Sequence, residues 1–334
     1  MGRNYMKTIS LALLLVLATA CGNESTNRPA ESKSKPPKKQ LVVPVFNADS
    51  AYAFVKAQVD FGPRTPNSEA HKACGSWLAA KMKSYGAEVM EQRFKARSFD
   101  GKVLDGNNII ASFNPAAQKR ILLCAHWDSR PFADHDPDPA NHHKPIDGAN
   151  DGASGVGVLM EIARQIQQQP MDIGIDIIFF DLEDYGQPVN SDYPQKEDTW
   201  CLGSQYWAQS PDPNGGRARF GILLDMVGAK DAVFTKEYFS MKYASGIVEK
   251  VWSRAAQLGY SEVFVNREAG AVTDDHVYIN EMARIPTIDI IHYNEGARSG
   301  FFPYWHTVND NMDAIDPVSL RIVGEVLLNV IYNE

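Results

Sequence analysis

The chain has 334 residues, 44% of them hydrophobic and 10% aromatic, which supports a sizeable core and excludes disorder over most of the length. Its formal charge of −8 excludes the basic footprint of a nucleic-acid-binding protein.

The N-terminus reads as a targeting segment. Arg3 and Lys7 flank the start of an apolar run from Ile9 to Ala20. About 12 residues are too few for a bilayer span, which takes about 20, and they fit the core of a signal peptide over residues 1–20. The stretch LATAC puts small residues before Cys21 and resembles a bacterial lipobox, with Ala18 where leucine is commonest. On that reading Cys21 carries the lipid, and the protein is a periplasmic or outer-membrane-anchored lipoprotein that meets the membrane only through its anchor. An ordinary secretory signal is the alternative, and either exports the protein. Residues 21–40 hold no aromatic or branched aliphatic side chain and read as a tether, leaving 41–334 for a single folded domain.

Within that domain, Ser50–Phe61 and Ser68–Tyr85 have helical patterning, the second stopped by Gly86. Apolar runs at Glu88–Phe94, Asn108–Phe113, Arg120–His126, Ile173–Phe180, Phe220–Met226 and Pro286–Ile291 predict strands. Further helices are predicted at Ala153–Gln168, Ser204–Gln209, Ser240–Leu258 and Pro317–Tyr332. The alternation predicts an α/β fold: a central mixed, mostly parallel sheet with helices on both faces. Ligands then belong at the carboxyl ends of the strands.

Five segments end or follow an apolar run with residues able to bind a metal: LLCAHWDS (His126, Asp128), DGANDGASG (Asp147, Asp151), FFDLEDYG (Glu183, Asp184), ILLDMVGA (Asp225) and FPYWHT (His306). An acid at one strand end is usually a turn or cap; five such segments converging on one rim argue for a site. Carboxylate and imidazole donors without thiolate suit Zn²⁺ held by three ligands with one position open. Cys74, Cys124 and Cys201 allow at most one disulfide, and no CxxC pair supports a thiolate site. In FFDLEDYG one carboxylate can bind the cation while its neighbour moves protons, burial raising its pKa toward that task. Neighbours in an extended strand or turn point opposite ways, so Glu183 and Asp184 need not compete.

Taken together, HWD, NDGASGVGVLMEIAR, IIFFDLED and YWHT resemble the zinc aminopeptidase fold of the co-catalytic exopeptidase clan. With ILLDMVGA, TDDH and WHTVNDNMDAID, the domain is most similar to glutaminyl-peptide cyclotransferases, from Phe61 to the last helix. The resemblance implies one zinc held by Asp151, Asp184 and His306, with Glu183 as general base and acid. It implies Asp225 and Asp274 as acids of a hydrogen-bond network, and Trp305, Phe301 and Trp200 as pocket aromatics. The implied reaction converts an N-terminal glutamine of a peptide or protein to pyroglutamate with release of ammonia, by a monomer. Animal enzymes of this kind carry Glu-Glu where this chain has Glu183-Asp184, so the ligand arm is one methylene shorter.

Two rivals use the same residues. A two-zinc aminopeptidase would add a second site from His126 and Asp225, bridged by Asp151, with Asp128 beside it. A binding protein that had lost its metal would also lack ligands, and here every position is filled. The tract DHDPDPANHHKP, with His135, His142 and His143, offers donors for another metal, but its prolines and three aspartates favour a surface loop near the site mouth. Val189–Trp200 is either a lid or an irregular loop, and Asp181 has no assigned role.

Overall fold

Strand residues 120–126 and 174–180 are apolar at nearly every position because both faces of the sheet are covered. In the computed structural model, which describes residues 42–209, 218–294, 296–297 and 299–334, Gln40–Glu334 form one compact unit. The signal segment, Cys21 and the tether lie outside the described residues. The elements run α1 (Ala48–Val59), α2 (Glu69–Ser84), β1 (Glu88–Arg97), β2 (Val103–Phe113), β3 (Arg120–His126), α3 (Ala153–Gln168), β4 (Gly174–Phe180) and α4 (Leu202–Ala208). They continue with β5 (Gly221–Asp225), β6 (Phe234–Lys236), α5 (Tyr238–Gln257), β7 (Phe264–Glu268), α6 (Asp275–Tyr278), β8 (Thr287–Ile291) and α7 (Pro317–Ile331).

Six strands form a sheet in the order β1-β2-β4-β3-β5-β8. β1, β2 and β4 pair antiparallel, whereas β4, β3, β5 and β8 run parallel. The predicted mixed, mostly parallel sheet is therefore the one found. Alternate strand residues feed two cores. Ile121, Leu123, Ala125, Ile177, Phe179, Ile222 and Leu224 pack with α1, α2, α3, α5 and α7. Leu122, Cys124, Ile178, Phe180 and Leu223 pack on the other face with Trp207 of α4 and with Ile279 and Ala283.

Element boundaries shift where a cap lies earlier than expected. Asn47, not Ser50, starts α1, its side chain accepting from the Ser50 amide. Glu237 caps α5 by accepting from the Phe239 and Ser240 amides, so the helix begins at Tyr238, two residues before the expected start. Ser68 caps α2 as expected. The short parallel pair β6–β7 was not foreseen; runs of three and five residues are too brief for a period to register.

Register brings the rim together. His126 pairs with Phe180, and Asp225 with Ile291, so the segments after β3, β4, β5 and β8 leave the sheet at one edge. Helix α3 lies unusually close to that edge, because a Cβ at Gly155 would sit 2.4 Å from the Leu224 carbonyl oxygen. Gly152, just before it, has φ +96° and would meet the Asp128 carbonyl oxygen at 2.6 Å. The glycines of NDGASGVG thus let Asp151 approach His126.

Candidate active site

Two buried carboxylates fix the loops that carry the rim acids. Asp128 accepts from the backbone amides of Glu183 (3.1 Å) and Asp184 (3.2 Å). Asp310 accepts from the amides of Asn150 (2.8 Å) and Asp151 (3.0 Å). Each satisfies two consecutive N–H groups that would otherwise be buried without partners. Asp128 therefore has a supporting position, facing the amides and the His126 ring. Asp147 stays out of the site; its main-chain carbonyl accepts from Arg64. Strain gathers at the same rim. Leu182, Cys201, Met226 and His306 all take left-handed backbone, at φ between 49° and 56°. Such geometry costs about 1–2 kcal/mol per residue and persists only where surroundings enforce it.

Two histidine–carboxylate clusters share Asp151. In the first, His306 Nε2 lies 3.1 Å from Asp184 Oδ1 and 3.5 Å from Asp151 Oδ2. In the second, His126 Nε2 lies 3.0 Å from Asp151 Oδ1 and 3.3 Å from Asp225 Oδ1. Burial, and after it the neighbouring Asp151, push the Asp184 carboxyl up to about 6. Burial likewise pushes Asp225 up to about 7. For His126, burial opposes protonation, but Asp128, Asp151 and Asp225 outweigh it and raise the imidazole well above its ordinary value.

The Glu183 carboxylate lies among His126, Cys201 and Asp274. β4 ends at Phe180, so Glu183 and Asp184 stand in the turn after the strand, the second of the two settings expected for them, and Asp128 holds that turn. The Glu183 carboxylate groups with Cys201 and Asp274 within 4.8 Å, and Cys201 Sγ lies 3.2 Å from Oε1. Burial raises the Glu183 pKa well above its ordinary value, with Asp184 and Asp274 adding to it.

Aromatic rings surround the His306 side. Trp305 stacks on the imidazole with centroids 3.7 Å apart, and Trp200 lies parallel to it at 5.8 Å. Phe301 packs on Trp305 at 4.6 Å. The loop after β3, expected at the surface near the mouth, also reaches inside: Asp134 Oδ1 lies 3.4 Å from His306 Nδ1. Arg130, fully buried, holds both Asp134 oxygens at 2.7 and 2.9 Å and donates to the Asp184 carbonyl at 2.9 Å. Its guanidinium lies 4.5 Å from the Trp200 ring centre. His142 bonds the Asp136 carbonyl within its own loop, and His143 is exposed.

The model of peptidase family M28 matches residues 108–331, two thirds of the chain. The chain belongs to peptidase family M28. Among solved structures, a Zn-dependent exopeptidase from Parabacteroides distasonis is 55% identical, with a TM-score of 0.86 over 88% of this chain and 100% of that one. Tannerella forsythia glutaminyl cyclase is also 55% identical, with a TM-score of 0.85 over 87% of this chain and 100% of that one. A curated relative, the glutaminyl-peptide cyclotransferase of Gloydius blomhoffii, is 25% identical over 250 residues, 66% of this chain and 63% of that protein. The chain thus spans somewhat under two thirds of the length of that relative.

The residues of this M28 chain fit a zinc ion. Asp151, Asp184 and His306 offer three donor atoms within 4.8 Å of one another, all on buried residues. Asp151 Oδ2 and both Asp184 oxygens are buried without a hydrogen-bond partner. Unpaired buried carboxylates are costly, and a divalent cation relieves both the desolvation and the mutual repulsion. The shorter Asp184 arm reaches the cluster. Asp134, Asp310, Arg130 and Cys201 were missed in the sequence: they lie in loops without periodicity, and Cys201 entered only the cysteine count. Asp181 now has a role, since His71 Nε2 lies 2.8 and 3.0 Å from its oxygens and stacks on Trp127. All three cysteines of the described residues are free and buried.

Proposed function

We propose that the chain is a zinc-dependent glutaminyl-peptide cyclotransferase, which converts an N-terminal glutamine of peptides or proteins to pyroglutamate. The observation that carries this reading is the 55% identity to a glutaminyl cyclase across that enzyme's whole chain. One zinc would be held by Asp151, Asp184 and His306. When bound, it would draw electron density from the side-chain amide oxygen of the substrate and stabilise the charge that develops there. Glu183 accepts a proton from the α-amine as the amine nitrogen bonds to the amide carbon. The bond to the amide nitrogen then breaks, and Glu183 returns the proton so that ammonia leaves. A carboxylate whose proton affinity is raised by burial can do both. Asp274 and Asp225 orient the amine and Glu183. Trp305, Trp200 and Phe301 wall the cleft and fold the substrate so that amine and amide meet.

A two-zinc aminopeptidase is favoured by one observation: His126, Asp151 and Asp225 also lie within 4.8 Å of one another. Purified protein separates the two readings. The cyclase releases ammonia from Gln-peptides and carries one zinc per chain; free amino acids from Leu-peptides and two zincs overturn it. Attachment through a lipidated Cys21 to a bacterial envelope membrane is part of the proposal. Mass spectrometry of the mature N-terminus tests it, an unmodified terminus downstream of Cys21 being the contrary result.

A further inference from the structure

Glu183 is gripped at two points by one residue that the metal chemistry does not use. The Cys201 amide donates to the Glu183 carbonyl at 2.9 Å, and the Cys201 sulfur lies 3.2 Å from Glu183 Oε1. The other carboxylate oxygen, Oε2, faces the His126 ring at 3.9 Å, beyond hydrogen-bond reach. Cys201 is completely buried and takes left-handed backbone at φ 56°, immediately before α4. Its carbonyl accepts from the Gln205 amide and the Ser204 hydroxyl, so the residue is anchored at the start of that helix. Trp200, the preceding residue, lies parallel to His306. The thiol is thus held against the Glu183 carboxylate, with Asp274 within 4.8 Å of both.

We infer that Cys201 is a positioning residue for Glu183: its thiol donates to Oε1, fixes the carboxylate rotamer, and leaves Oε2 for the substrate proton. Burial keeps the thiol protonated and therefore a donor, raising its pKa well above the ordinary value. A thiol is a weak donor, so it can set the direction of a carboxylate without holding it as firmly as a hydroxyl would. This inference rests on the role of Glu183 proposed above and is neutral about which reaction Glu183 serves.

The test uses Cys201→Ala and Cys201→Ser in the zinc-loaded protein, read on Gln-peptide cyclisation. Should the protein cleave Leu-peptides instead, the same variants are read on that activity, where Glu183 is again the base; a failed cyclase reading is thereby told apart from a failed Cys201 reading. Cys201→Ala is expected to lower kcat about tenfold with KM and zinc content unchanged, because a misdirected base loses near-attack geometry. Cys201→Ser is expected to recover most of that loss. On a Glu183→Gln background, Cys201→Ala is expected to cause no further loss, since both changes act through one carboxylate. An unchanged kcat in Cys201→Ala overturns the inference. So does a loss that multiplies fully with Glu183→Gln, or one that appears with loss of zinc or as a raised KM alone.

Discussion

The two clusters that share Asp151 use the same donor types and are built to different ends. His306 stands between indole rings, is backed by Asp134 and Arg130, and faces two Asp184 oxygens that have no partner. His126 is as buried as His306 and is ringed by Asp128, Asp151 and Asp225, which outweigh burial and raise its pKa. One side leaves both Asp184 oxygens without a hydrogen-bond partner; on the other, the Asp151 and Asp225 oxygens face His126 Nε2 at 3.0 and 3.3 Å. Donor chemistry alone does not distinguish a metal site from an internal ion pair. Nor does the second nitrogen, since His126 Nδ1 faces Asp128 at 3.5 Å much as His306 Nδ1 faces Asp134 at 3.4 Å. The difference lies in the indole rings around His306 and in Asp184, both of whose oxygens lack a hydrogen-bond partner, against one oxygen of Asp225.

This contrast can be broken at several points. His306→Ala has the largest expected effect, with loss of both zinc and activity; metal analysis beside ammonia release checks it. Glu183→Gln is expected to keep zinc and melting temperature while kcat falls about 10²–10⁴-fold, and retained turnover would remove Glu183 from the mechanism. His71→Ala leaves the buried Asp181 without its ionic partner, held only by the Asn107 and Leu182 amides, so unfolding in urea is expected to show a loss of about 3 kcal/mol. Asp134→Asn is expected to weaken zinc about 10–100-fold in competition with a chelator, leaving the fold intact. His126→Gln sets the lower end, with zinc per chain unchanged at one. A drop from two to one would show the clusters to be equivalent and favour the aminopeptidase.

Much of this arrangement was legible in the sequence. Strand ends could be read from apolar runs, and the rim acids from their place at those ends, because both depend on near neighbours. The three acids of FFDLEDYG show where that reading stops. Asp184 and Glu183 go to the positions their neighbours suggested, but Asp181 finds its partner in His71, 110 residues away. Asp134, Asp310 and Cys201 were invisible for the same reason: each acts through a loop whose path is set by tertiary packing. The left-handed residues were equally hidden, since nothing in a leucine or histidine announces a positive φ.

The carboxylate clamps have a consequence for how the chain assembles. Asp310 grips Asn150 across 160 residues of sequence, and Asp128 grips Glu183 across 55. Loops tied at such distances close only after the intervening strands have paired. In small zinc modules the metal gathers an unfolded chain; here the three-donor cluster exists only once Asp151 and Asp184 have met His306, far along the chain. Zinc uptake during refolding should therefore trail the recovery of secondary structure, making the ion a marker of finished molecules.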